Sequence, residues 1–236
     1  MSTPTSITKK DKTKDKTADQ ILDKIMDMLI DGTLKMGDRL NSEQLAKTLE
    51  ISRSPVREAL TVLVQRGLAT YVPNCGMRLA ELSDDEVIEI YRFRQIIEAQ
   101  AAYYAALAAT EEDIANIERC FHEHAALLAA EDISPKEVHK ANRRFHMAIF
   151  TASRKEFFLD SIERAWDNLT LVKMLYGYSF LSSEENRRML VNEHRLLVDY
   201  IKAHNAHAIK NLVGVMIEDK IRIYKEQNGY TGSETL

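Results

Sequence analysis

Little in this 236-residue chain interrupts it: eight glycines, four prolines and two cysteines. So few breakers leave long periodic stretches, which argues for a mostly helical protein. Two cysteines, Cys75 and Cys120, are too few for a disulfide framework or a cysteine zinc site. No run approaches the roughly 18 apolar residues of a membrane span, and the first residues lack a signal-peptide core. A cytoplasmic location is the expectation, with no membrane partner. What is present suits a folded, soluble protein: 45% hydrophobic and 29% charged residues. The net charge of −4 is unevenly spread. Residues 1–80 hold 13 Lys/Arg against 10 Asp/Glu, +3, and residues 81–236 hold 19 against 26, −7. A basic module joined to an acidic one suits a small nucleic-acid binder attached to a part that stays off nucleic acid.

Residues 1–16 form a polar, lysine-rich tail with almost nothing to bury, and disorder is expected there. A first helix is expected from about Thr17, with Ile21, Leu22, Ile25, Met28 and Leu29 on its apolar face and Gly32 at its end. Gly37 turns the chain, Ser42 is the expected cap of a short second helix, and Leu45, Ala46 and Leu49 face inward. The stretch SRSPVREALTVLVQRG, Ser52 to Gly67, then reads as a third helix with Ser52 as its cap and Pro55 in its first turn. Val56, Leu60, Leu63 and Val64 give it one apolar stripe. Away from that stripe its first turns carry Arg53, Ser54 and Arg57, groups suited to phosphates and base edges. Two short helices joined by a tight turn, the second basic at its start, are the sequence form of a helix-turn-helix. Residues 68–80 read as a small hairpin about Pro73-Asn74-Cys75-Gly76, a wing, with Asn74 and Gly76 supplying the turn.

From Ser83 the pattern becomes a run of six helices. Ser83 and Glu86 form a capping box for a long helix through Ile88, Tyr91, Ile96 and Ile97 to about Ala109. Thr110 caps a second, ending near Ala130, and Ser134-Pro135 opens a third, ending near Ser153. A fourth is expected over Glu156 to Tyr178, a fifth from a Ser182/Glu185 capping box to Ala203, and a sixth over Ala206 to Asn228. Short connections imply an antiparallel bundle able to enclose a ligand. The expected division is therefore a tail (1–16), a winged helix-turn-helix (17–80) and a helical domain (81–236).

Residues 17–80 resemble the winged helix-turn-helix of the GntR family of bacterial transcriptional regulators. The likeness rests on G-x-L-x-x-G-x-x-L at 32–40, SEQLAKTLEISRSPVREAL at 42–60 and NCG at 74–76. The helical half resembles the effector domain of the FadR-like branch through YRFRQIIE at 91–98, NRRFH at 142–146 and EHRLLVDYI at 193–201. The resemblance implies a homodimeric repressor on a palindromic double-stranded operator, with DNA contacts at Ser52, Arg53, Ser54, Arg57 and the wing's Gly76. Glu43 stands where some members place a contacting arginine. It also implies a small organic-acid effector in the helical domain. Many relatives hold a divalent metal there, zinc, nickel or manganese, through an aspartate and three histidines. The matching positions here are Asn142, His146, His194 and Met216, so two imidazoles remain and a resident metal is not firmly implied. Arg94, four residues before Glu98, matches the arginine that faces the effector's carboxylate; the competing expectation is a surface ion pair with Glu98. His122, His124, His139, His204 and His207 read as surface, Trp166 as core, and Tyr103, Tyr104, Phe157 and Phe158 as core or dimer contacts. No nucleophile–base pair or phosphate-cradling loop appears, so catalysis is not implied. The competing classes are an architectural DNA-binding protein without a ligand and a helical metalloenzyme using His146 and His194.

Overall fold

A computed structural model of the chain describes residues 20–21, 23–25, 27–28, 33–65, 67–73, 76–169 and 181–230. The expectations for the tail, for Leu22, Leu29 and Gly32, for Asn74 and Cys75, and for a helix continuing to Tyr178 lie outside these residues. The chain divides into two compact units, Met1–Glu81 and Leu82–Leu236.

In the first unit the described residues between 20 and 28 are helical, and Ile21 and Ile25 are buried. Helices α1 (Ser42–Thr48) and α2 (Arg53–Gln65) follow. The cap of α1 is Asn41 and not Ser42: its side-chain oxygen accepts the backbone N–H groups of Glu43 and Gln44. Both residue types can cap, and the one lying just before the first helical turn meets the orphan donors. Glu50, at φ 54°, turns the chain between the two helices, and the Ile51 N–H closes on the Ala46 carbonyl. Leu45, Ala46, Val56, Ala59, Leu60 and Leu63 are buried together with Leu40 and Leu79, while Val64 is half-buried. A fully buried Leu or Val side chain is worth about 1.5–3 kcal/mol, so this small core holds the two helices at a fixed angle. Strands β1 (Ala69–Val72) and β2 (Gly76–Leu79) pair antiparallel, Ala69 opposite Leu79 and Val72 opposite Gly76. Residues 38–40 add to the far edge of β2 through Leu40 N–H to Met77 O and Leu79 N–H to Asp38 O.

The second unit contains α3 (Asp84–Ala108), α4 (Glu111–Ala129), α5 (Pro135–Ala152), α6 (Glu156–Asn168), α7 (Glu184–Lys202) and α8 (Ala206–Asn228). The expected capping box at Ser83 and caps at Thr110 and Ser134 are present. The cap of α7 is Ser183, which accepts from Asn186 N–H, one residue beyond the expected Ser182. Helices α3 and α8 run antiparallel, as three cross-links show: Tyr224 donates to Asp84, Gln95 donates to the Gly214 carbonyl, and Lys210 donates to Gln100. Buried Ala99, Ala101, Ala102, Ala105 and Ala106 thin α3 along its second half and admit neighbouring helices closely. Helix α4 lies against α5 and α7, while α5 and α6 lie against α3. One core cluster, with Phe121, Phe145, Phe150, Ile162 and Trp166 among its largest fully buried side chains, fills the bundle. Ile96, expected on the apolar face with Ile97, is 71% exposed: consecutive helical residues differ by about 100°, so Ile97 takes the core and Ile96 the surface.

Candidate DNA-reading face and ligand cavity

The α2 stripe that faces the core leaves its opposite side to solvent. Ser52, Arg53, Ser54 and Arg57 are all exposed, and Arg53 and Arg57 lie one turn apart. The recognition residues expected from sequence are thus gathered at one helix end. Arg53 is also tethered: its Nη2 lies 2.9 Å from an Oε of Glu43 on α1, and both side chains are largely exposed. Gly76 has φ 83°, a conformation that favours glycine, and its missing side chain points toward the Arg39 guanidinium, 3.8 Å from an added Cβ. Arg39 is exposed beside the wing and was not singled out by sequence, since nothing in GDRL marks it before the wing is folded.

Within the helical unit a cavity of ≈ 220 Å³ opens among α3, α5, α7 and α8. Arg94, Asn142, His146 and His194 all line it, with Met216, so the structure brings these sequence-selected residues together. Arg94 and Glu98 are not a surface pair. They are 5% and 2% exposed, and the guanidinium grips the carboxylate with Nε at 2.5 Å and Nη2 at 3.2 Å. Glu98 also accepts the Trp166 indole N–H at 2.7 Å, and the guanidinium lies over the Trp166 ring at 4.7 Å. Trp166 is therefore core on one side and cavity wall on the other. Burial raises the Tyr91 hydroxyl above its ordinary pKa beside the same pair.

His124 corrects the sequence reading most. It is 1% exposed, and it extends the pair into a chain of three imidazoles. His146 Nε2 lies 3.2 Å from His194 Nε2, and His194 Nδ1 lies 3.2 Å from His124 Nδ1. A neutral imidazole has one donor and one acceptor, so protons in this chain point all one way or all the other. In either arrangement His124 Nε2, the buried end, has no hydrogen-bond partner among the described residues. Burial holds both inner rings neutral: the pKa of His124 falls to about 4, and that of His194 falls well below 6.5. Of the other histidines read as surface, His122, His204 and His207 are exposed, while His139 is half-buried in the cavity wall.

These donors fit a resident metal poorly. The two facing Nε2 atoms have about the spacing that two nitrogens sharing one tetrahedral metal would have, ~3.3 Å. But beside those two imidazoles Asn142 offers only an amide and Met216 only a thioether. Among the described residues no three His, Cys, Asp or Glu side chains converge on a point.

The chain matches two families in succession. Residues 17–79 match the bacterial regulatory proteins of the gntR family, and residues 89–219 match the FCD domain. It is 29% identical over 185 residues to an uncharacterized HTH-type transcriptional regulator, YdhC, of Bacillus subtilis, covering 78% of this chain and 80% of that one. It is 28% identical over 196 residues to the HTH-type transcriptional regulator McbR of Escherichia coli, covering 83% and 87%. The solved structure of E. coli McbR/YncC superposes with a TM-score of 0.72 at 24% identity, over 90% of this chain and 98% of that one, and so shares the fold. Among the described residues no helix is long and apolar enough to cross a membrane. The two matches fall on the two units in turn, the winged helix-turn-helix with its exposed basic helix and the helical bundle with its cavity, and the chain belongs to the GntR family of DNA-binding transcriptional regulators, with an FCD effector domain as its helical half.

Proposed function

We propose that this regulator is a cytoplasmic homodimeric repressor that binds a palindromic operator and releases it when a small organic acid enters the helical cavity. The observation that carries the reading is the cavity itself. An architectural DNA-binding protein has no use for three imidazoles beside an open space with one nitrogen, His124 Nε2, buried without a hydrogen-bond partner among the described residues, because uncompensated polar burial costs stability. Ser52, Arg53, Ser54 and Arg57 would enter the major groove, and Gly76, with Arg39 beside it, would approach the minor groove. Arg94, Asn142, His146 and His194 would meet the acid, with His124 behind them.

The dimer has support in the second unit. Phe93, Ile96 and Leu107 on α3 and Val215 on the neighbouring α8 are exposed. The α3 residues recur at 3- and 11-residue steps along one side of the helix, and a second copy would cover them. One experiment tests both parts. Selection from randomised duplexes with the full chain is expected to enrich an inverted repeat with half-sites about 10 base pairs apart, one per recognition helix. Enrichment of a single half-site would remove the dimer, and no enrichment over bulk DNA would remove sequence-specific binding.

A further inference from the structure

The wing has two faces, and one of them is basic. Residues 38–40 run along the far edge of β2, with Arg39 opposite Arg78, and Arg78 is opposite Thr70 on β1. Residues directly opposite share a face of a sheet, and alternate residues along a strand return to it. Arg39, Arg78, Thr70 and Gly76 therefore stand on one face of the wing, while their neighbours Leu40, Leu79 and Ala69 are buried on the other. The two arginines of the outer face differ. Arg78 is half-buried and spends its Nη1 on the Gly37 carbonyl at 2.9 Å. Arg39 is exposed and makes no side-chain hydrogen bond or ion pair among the described residues. Its guanidinium lies beside the bare backbone of Gly76, where a Cβ would stand 3.8 Å from both Nε and Nη2.

The backbone ties this arginine to the recognition helix. Arg39 is two residues before Asn41, the cap of α1, and Glu43 in the first turn of α1 holds Arg53 at the start of α2. Four residues span at most about 14 Å of backbone, against a major groove ~12 Å wide. An arginine at that reach from a helix seated in the major groove meets the minor groove beside it. A guanidinium has only donors to offer. A·T pairs show only acceptors in the minor groove, where a G·C pair adds the N2 amino donor. A narrow A·T-rich groove also has the stronger negative potential. We infer that Arg39 is a minor-groove reader, one per subunit, which selects A·T pairs about half a turn, ~5 base pairs, from the centre of each half-site. It thereby adds sequence preference at positions that Ser52, Arg53, Ser54 and Arg57 do not touch.

This inference rests on the operator-binding reading, and its test separates the two. Selection from randomised duplexes would compare the full chain with its Arg39→Ala variant. Sites selected by the unmodified chain are expected to carry A·T pairs half a turn from each half-site centre. Arg39→Ala should lose that preference and bind the selected operator about tenfold more weakly, while base preference within the half-sites stays. Its melting temperature should hold, since the side chain is exposed. A second measurement needs no variant. Replacing those A·T pairs of the operator by guanine·cytosine should weaken the unmodified chain about tenfold, whereas inosine·cytosine should bind within about twofold of A·T. Inosine lacks the N2 amino group and so has the minor groove of A·T, while its major groove is that of guanine. Half-sites enriched without the A·T preference, an unchanged preference in Arg39→Ala, or inosine·cytosine behaving as guanine·cytosine would overturn the role of Arg39 and leave operator binding standing. No enrichment over bulk DNA would remove both.

Discussion

Folding buries His124 against His194, near the charge of Arg144, and both influences oppose its protonation. The unfolded chain accepts this proton near pH 6.5, the folded chain only near 4. The unfolded state therefore holds more protons between those values, and stability falls as pH drops from 6.5 toward 4, levelling below it. The fall from 6.5 to about 4 corresponds to about 3 kcal/mol, and His194 acts in the same direction. Urea unfolding at pH 7, 6 and 5 should show this loss, and His124→Phe should make the dependence shallower; an unchanged slope in the variant would mean that the ring is already protonated or exposed. The signal for His124 was present in the sequence, because Ile117, Phe121, His124 and Leu128 share one helical stripe. Flanking Glu123 and His122 made the stretch look like surface. The match of Asn142, His146, His194 and Met216 to one pocket was legible, but that Arg94 is spent on Glu98 was not, since an i,i+4 pair reads alike buried or exposed. If Asn142 and Met216 are what deny the site a metal, Asn142→Asp with Met216→His should create tight zinc or nickel binding, raised at least 10–100-fold as is typical of lesser changes around metal ligands. Stoichiometric metal surviving chelator in the unmodified protein would contradict that account.

Among the elements, helix α2 shows how one stripe serves two ends. Val56, Leu60 and Leu63 fix its orientation in the core, and the same spacing leaves Arg53 and Arg57 outward. Arg57→Ala should cost roughly 1–3 kcal/mol on the selected operator and relax preference at one position per half-site if Arg57 reads a base; an equal loss on all sequences would make it a phosphate contact. Glu43→Ala should leave stability within about 1 kcal/mol, because the pair with Arg53 is exposed, but should alter base preference, since Arg53 loses its tether. Identical selected sites with and without Glu43 would deny it that role. Helices and turns were legible because glycine is scarce and caps such as Ser83 and Thr110 stand alone. Where two competent caps adjoin, Asn41-Ser42 and Ser182-Ser183, the choice depended on backbone geometry that residue types do not fix. The outward turn of Ile96 was hidden for a related reason: an apolar residue beside the core stripe reads as core until its neighbours are placed.

At the scale of the molecule, charge separates the two jobs. The +3 of residues 1–80 favours a polyanion, and the −7 of residues 81–236 keeps the sensing half away from it. Such a protein regulates only if the ligand prefers one of two conformations that differ in operator affinity, and its effect cannot exceed that preference. The most direct test is a fluorescence-anisotropy titration of the selected operator with the full chain, with and without a saturating small organic acid that stabilises the helical unit. A loss of operator affinity of at least tenfold is expected, about 1.4 kcal/mol of coupling. Superimposable titrations with the cavity demonstrably filled would contradict the claim that the cavity controls DNA binding.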